Sequence, residues 1–148
     1  MDNYLKMGRE VLNAQAFSRM MEAELISLSP GHAEMALNIK PFLKQSYGFV
    51  HGGVISYMAD NCLTFAGAAY LGNCVTSEFK INYLLPAIGD RIIVTASVIS
   101  HTLRQAVCEC RLSVEHKGQV SLVAAAQESI VNVENDVTAA TGGFGAGA

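Results

Sequence analysis

After residue 73 the chain takes on strand period and keeps it to residue 133. Before that point, Leu5, Val11, Leu12, Ala16, Phe17, Met20 and Met21 recur at a spacing that predicts one amphipathic helix over residues 2–21. The next stretch, AELISLSPGHAEMALNI, reads as two short strands around the turn Ser29-Pro30-Gly31-His32. Residues 41–48 read as a loop, and residues 53–70 as a long helix that is apolar almost all round. Beyond Gly72-Asn73, the segments 74–84, 90–101, 105–116 and 119–133 are rich in Val, Ile, Ser and Thr and read as strands. The third alternates cleanly, with Ala106, Cys108, Cys110, Leu112 and Val114 on one face and Val107, Glu109, Arg111, Ser113 and Glu115 on the other. That is the pattern of a half-buried antiparallel strand.

Helix, two strands, long helix, then four strands is an α+β order with an antiparallel sheet. A single apolar helix among six strands is expected to be wrapped by them. The chain then divides into an N-terminal helix (1–22), a main domain (23–134) and a flexible Gly/Ala-rich tail (135–148) ending in TGGFGAGA.

Composition narrows the class. At 148 residues, 51% hydrophobic and 16% charged, the chain suits one well-buried domain and not a disordered one. A mean hydropathy of +0.28 points to surface buried between subunits. The one run with the length of a membrane span, residues 54–71, contains Asp60 at its middle and lacks flanking basic residues, so a core helix is expected. Lys6, Arg9 and Glu10 interrupt the N-terminus, which does not read as a signal peptide. A net charge of −3 without any basic block argues against a nucleic-acid binder. Cys62, Cys74, Cys108 and Cys110 lack zinc-type spacing and read as packed thiols of a cytoplasmic protein.

The chemistry concentrates in SYGFVHGGVISYMAD, residues 46–60. A helix start exposes unpaired N–H groups, and Gly52 and Gly53 allow a ligand oxygen to approach them. His51-Gly52-Gly53 is thus either a tight turn that needs glycine or an oxyanion site for a carbonyl. Asp60 lies on a narrow face with Gly53, Ser56 and Gly67, and Thr64 one turn on is placed to hydrogen-bond it. Such a small-residue face also lets a second helix come close. Partial burial makes a carboxylate a stronger base, useful for activating water or attacking an acyl carbon. The alternative is a buried aspartate satisfied by its neighbours.

Distance adds a constraint. Eight residues of helix separate Gly52 from Asp60 by roughly 12 Å, too far for both to serve one carbonyl. If both act, two antiparallel helices across a twofold axis must bring Gly52 of one subunit to Asp60 of the other.

These residues resemble the hotdog-fold acyl-CoA thioesterases, in particular the phenylacetate-degradation (PaaI-like) branch. The resemblance is carried by His51-Gly52-Gly53, by the aspartate seven residues after Gly53, and by TSEFKINYLLPAIGD from Thr76 to Asp90, over roughly residues 20 to 133. It implies an antiparallel sheet wrapped around the central helix, and a homodimer or dimer of dimers with sites at the subunit interface. It implies that Asp60 is general base or nucleophile and that the Gly52 N–H polarises the thioester carbonyl. His51 would support that turn, and Thr76 would help hold the attacking water. The chain departs from the family in two places. Gln45 stands where relatives commonly carry an Asn that hydrogen-bonds on the carbonyl side, and would donate the same N–H from a side chain one methylene longer, while the hairpin Ser100-His101-Thr102-Leu103-Arg104 lacks the usual glycine.

Acyl-CoA is the substrate implied, with no separate cofactor and no metal. Its phosphates call for cations at the site mouth, for which Lys80, Arg91, His101 and Arg104 are candidates beside ordinary solvated charges. Gly53 and Thr64 are further candidates to contact the substrate, and Tyr57, Phe65 and Tyr83 are candidates to line an acyl pocket, although core packing is the default for aromatics. The expected activity is hydrolysis of an acyl-CoA thioester to acid and free CoA. A hotdog protein that binds acyl-CoA or another apolar ligand without turnover is the second reading, kept by Gln45. A hotdog dehydratase is the third.

Overall fold

The computed structural model describes residues 3–133. Its elements run α1 (Asn3–Ala14), α2 (Ala16–Met21), β1 (Glu24–Ser29), β2 (His32–Asn38), a single 3₁₀ turn (Pro41–Leu43), α3 (Gly52–Leu71), β3 (Cys74–Tyr83), β4 (Arg91–His101), β5 (Gln105–His116) and β6 (Gln119–Asn132). The six strands form one antiparallel sheet in the order β1-β2-β4-β5-β6-β3. The sheet closes around α3, the hotdog arrangement expected from the sequence.

Strand boundaries follow the turn chemistry. Gly31 takes a φ of 82° between β1 and β2, a conformation open to glycine. Its N–H donates to Ala66 O at 3.2 Å, so the hairpin tip is tied to α3. The alternation expected of β5 holds, with Ala106, Cys108, Cys110, Leu112 and Val114 all buried toward the helix. None of the four cysteines is in a disulfide. Burial pushes the Cys74 thiol up to about 11 and those of Cys108 and Cys110 to about 12, which fits packed, unreactive thiols.

α3 buries Ile55, Met58, Ala59, Cys62, Leu63, Phe65, Ala66, Gly67 and Leu71. It is not covered all round: a half-exposed stripe through Val54, Tyr57, Asp60, Asn61, Thr64 and Ala68 remains. Gly67 lies off that stripe. A Cβ there would come within 2.2 Å of Ile130 Cδ1 and 3.2 Å of Cys108 Sγ, so its smallness serves packing on the chain's own sheet rather than a second helix. Phe65 is likewise a core residue, seated near Gly8 of α1.

The N-terminal helix expected over 2–21 is two helices, because Gln15 adopts an extended backbone. The break lets α2 turn onto α3. Tyr57 Oη donates to Ser18 Oγ, Ser18 Oγ donates to Gln15 Oε1 at 2.6 Å, and the Phe17 ring meets the Tyr57 ring edge-on at 4.9 Å. A buried Ser18 with satisfied partners outweighs the continuity that helical spacing alone favours. Among the described residues no helix is long and apolar enough to cross a membrane. The tail expected over 135–148 lies outside the described residues.

Candidate active site

The start of α3 is built as a cap. The His51 N–H donates to Leu43 O at 2.8 Å, fixing the approach of the loop. His51 is the N-cap, and its Nδ1 accepts from the Gly53 N–H at 2.8 Å. An accepting Nδ1 puts the ring proton on Nε2. The cap consumes the Gly53 donor and leaves the Gly52 N–H, in the same first turn, without a partner among the described residues. Tyr83 closes over this turn from β3, its Oη donating to Gly52 O at 3.1 Å and sharing a hydrogen bond with Ser56 Oγ. Beside Gly52 lies a mostly apolar pocket of about 190 Å³, lined by Val50, Ile55, Tyr83, Leu85 and Val123.

Two turns further along α3, Asp60 faces β3. Thr76 Oγ1 donates to Asp60 Oδ1 at 2.7 Å. The contact depends on an irregularity in β3. The register places Thr76 opposite Ile130 but Glu78 opposite Ser129, so Ser77 is an extra residue. From Phe79 to Tyr83 the odd-numbered side chains face the helix side, and regular alternation would have sent Ser77 inward and Thr76 out. The bulge reverses this and turns Thr76 to the helix.

The structure adds a residue that the motif reading missed. Glu128, on β6, is 1% exposed and points inward between α3 and β3. Its Oε1 accepts from Thr64 Oγ1 at 2.9 Å and lies 3.1 Å from Thr76 Oγ1, while Oε2 has no hydrogen-bond partner among the described residues. Thr64, expected to bond Asp60, bonds Glu128 instead. Burial, then the hydrogen-bonding and charge of Asp60, push the Glu128 carboxyl up from an ordinary 4.5 to about 9, against the lowering effect of the two threonines. A signal was present in the sequence: Ala124, Ala126, Glu128 and Ile130 share one phase of β6, and only Glu128 is charged.

The remaining candidates fall apart in space. Gln45 spends Oε1 on the Tyr47 N–H within its own turn. Tyr57 is engaged with α2. Lys80 is on the outer face of the sheet, in a groove of about 550 Å³ with Glu78, Glu109 and Arg111. Arg91 reaches Asn38 Oδ1 and Glu24 Oε2, both at 3.4 Å, at the end of β4 away from the row that contains Thr76. That row runs Thr76, Ile130, Ala106, His101 across the sheet. His101 therefore lies at the same end as Asp60, but its ring stacks on Tyr70 at 4.0 Å. Arg104 projects from the adjoining hairpin and is exposed. Among the described residues no group of three His, Cys, Asp or Glu side chains is arranged to hold a metal ion.

The sequence profile of the thioesterase superfamily matches residues 47–121, which span both the cap and Asp60. The chain belongs to the thioesterase superfamily. Solved structures agree in fold. A thioesterase family protein from Silicibacter pomeroyi superposes with a TM-score of 0.83 at 24% identity, over 87% of this chain and 97% of that one. A conserved protein from Pseudomonas aeruginosa gives 0.71 at 27% identity, over 79% and 93%. The E. coli PaaI protein of the phenylacetic acid degradation operon gives 0.76 at 20% identity, over 87% and 93%. No curated protein sequence matches the chain closely enough to count as a relative. Membership of the thioesterase superfamily supports thioester hydrolysis as the general class of activity.

Proposed function

We propose that this thioesterase hydrolyses an acyl-CoA thioester to the free acid and CoA, at two equivalent sites shared across a homodimer. The observation that carries the reading is the separation of the two half-sites on one rigid element. α3 is unbroken from Gly52 to Leu71, so the free Gly52 N–H and the Asp60 carboxylate lie roughly 12 Å apart along its axis. One carbonyl is served by both only when Gly52 of one subunit faces Asp60 of the other. The half-exposed stripe that carries Asp60, and the ten-residue edge strand β3 with exposed Val75 and Tyr83, support self-association on that side.

In this reading the Gly52 N–H, at the positive end of α3, stabilises the oxyanion, and His51 holds the turn. Asp60 deprotonates water or attacks the acyl carbon, with Thr76 holding it in place. The pocket beside Gly52 takes the near end of the acyl group. Cations at the mouth, Arg104 and His101 foremost, meet the CoA phosphates.

Free-thiol release from short, medium, long and aromatic acyl-CoAs tests this, with Asp60→Asn and Asp60→Ala beside wild type. Turnover of at least one class, lost in both variants, is expected. Undiminished hydrolysis in both variants would contradict the role of Asp60. Binding without turnover across the panel would favour a non-catalytic acyl-CoA binder.

A further inference from the structure

We propose that Glu128 is a positioning residue that remains a neutral acid and, through the Thr76 hydroxyl, keeps Asp60 ionised and correctly aimed. The inference rests on the reading of Asp60 as the working carboxylate, and concerns a residue outside the motif.

Proton counting leads to it. Thr76 Oγ1 lies within hydrogen-bond distance of two carboxyl groups, 2.7 Å from Asp60 Oδ1 and 3.1 Å from Glu128 Oε1. A hydroxyl has one proton to donate. If both acids were ionised, one of these contacts would be oxygen against oxygen with no proton between. Both contacts are full two-centre hydrogen bonds only when one acid is protonated and donates to Thr76, which then donates to the other. The shorter contact, to Asp60, marks the direction of the Thr76 donation.

Burial makes the same assignment. Asp60 is half-exposed on α3, whereas Glu128 is enclosed and its Oε2 meets no donor among the described residues. An ionised Glu128 would leave a charged oxygen buried and unpaired, which is costly. A neutral Glu128 carries its proton on Oε1, directed at Thr76 Oγ1, while that oxygen still accepts from Thr64 at 2.9 Å. The chain of donors runs Glu128, Thr76, Asp60, and each hydroxyl proton is used once.

The groups that face Glu128 are consistent with this charge state. Asp60 and Thr64 approach from α3, Thr76 and Cys74 from β3, and Cys108 and Cys110 from β5. The three thiols are held up to about 11 or 12 and are neutral through the working range. Among the described residues no lysine, arginine or histidine acts on the carboxyl.

Glu128→Gln preserves the shape and offers two amide protons, one for each threonine, but cannot ionise. It is expected to keep kcat/KM within about threefold of wild type near neutral pH, while Glu128→Ala loses about tenfold or more, in kcat rather than KM. Wild-type activity is expected to fall as pH rises through about 9, and Glu128→Gln to lack that fall. Infrared difference spectra between wild type and Glu128→Gln give a readout independent of turnover: a protonated-carboxyl band at neutral pH belongs to Glu128. Its absence, or an unchanged alkaline fall in Glu128→Gln, overturns the proposal even if Glu128→Ala does not fold. Asp60→Asn, measured in parallel, separates the two levels. Inactive Asp60→Asn with no Glu128 band overturns only the neutral acid, whereas fully active Asp60→Asn removes the carboxylate that Glu128 would position, whatever the band.

Discussion

Thr76 Oγ1 is 2.7 Å from Asp60 Oδ1, and the contact exists because one extra residue, Ser77, reverses the phase of β3 at that point. A helix residue and an edge-strand residue are thereby joined across the gap between the layers. Thr76→Val keeps the shape and removes the hydroxyl. It is expected to lower kcat about tenfold, a change worth roughly 1.4 kcal/mol, with Thr76→Ser restoring most of it. Steady-state kinetics on whichever acyl-CoA is turned over checks this, and equal rates in Val and Ser variants would contradict it.

Removing the carboxylate itself is more severe. Asp60→Asn is expected to reduce hydrolysis by about 10² to 10⁴-fold at neutral pH, the usual range for a lost general base. Thermal stability should change little, since Asp60 is half-exposed.

Glu128 also links stability to pH. Its folded-state value of about 9 lies above the ordinary 4.5, so the folded chain binds more protons than the unfolded one between those limits. Its stabilising contribution is complete below about 4.5, declines as pH rises, and is gone above about 9. Denaturant titrations of wild type and Glu128→Gln across that range should diverge steadily, with wild type the weaker at high pH. Parallel curves would contradict the assignment.

Gly67 predicts a packing effect remote from chemistry. Its Cβ position is 2.2 Å from Ile130 Cδ1, so Gly67→Ala crowds the helix against β6. Ala gains about 1 kcal/mol of helix propensity, and overpacking costs about 1–3 kcal/mol. A net loss of roughly 1 kcal/mol is expected, recovered when Ile130→Val removes the clashing methyl. Additive effects of the two substitutions would show that no such contact exists.

Much of this was legible in the residues. Apolar spacing located α3 and alternation oriented β5, because both signals come directly from the geometry of helix and strand. The cap and Asp60 stood out as polar chemistry inside an apolar run. What escaped depends on how elements meet. Thr76 is reached only through the family resemblance, because strand period alone sends it outward and only the bulge at Ser77 brings it in. Helical spacing assigns Thr64 to Asp60, yet Glu128, sixty-four residues away in sequence, takes its hydroxyl. Gly53, Ser56 and Gly67 share one small face by helical spacing, yet Ile130 of β6 packs on Gly67. The break at Gln15 answers to Tyr57 and Ser18, a contact between layers that spacing along residues 2–21 does not encode.

The shared-site dimer is most directly tested by mixing two inactive variants. Gly52→Pro removes the oxyanion N–H at a position that accepts proline: Gly52 is the first helical residue, its Cβ position clears Tyr83 at 3.5 Å, and His51 already has an extended ψ of 134°. Asp60→Ala removes the carboxylate and leaves the cap intact. Each homodimer should be inactive. Unfolded and refolded together in equal amounts, half the dimers are mixed and each has one complete site, so about one quarter of wild-type acyl-CoA hydrolysis should return. A mixture that forms heterodimers yet stays as inactive as its parents would contradict the two-subunit site.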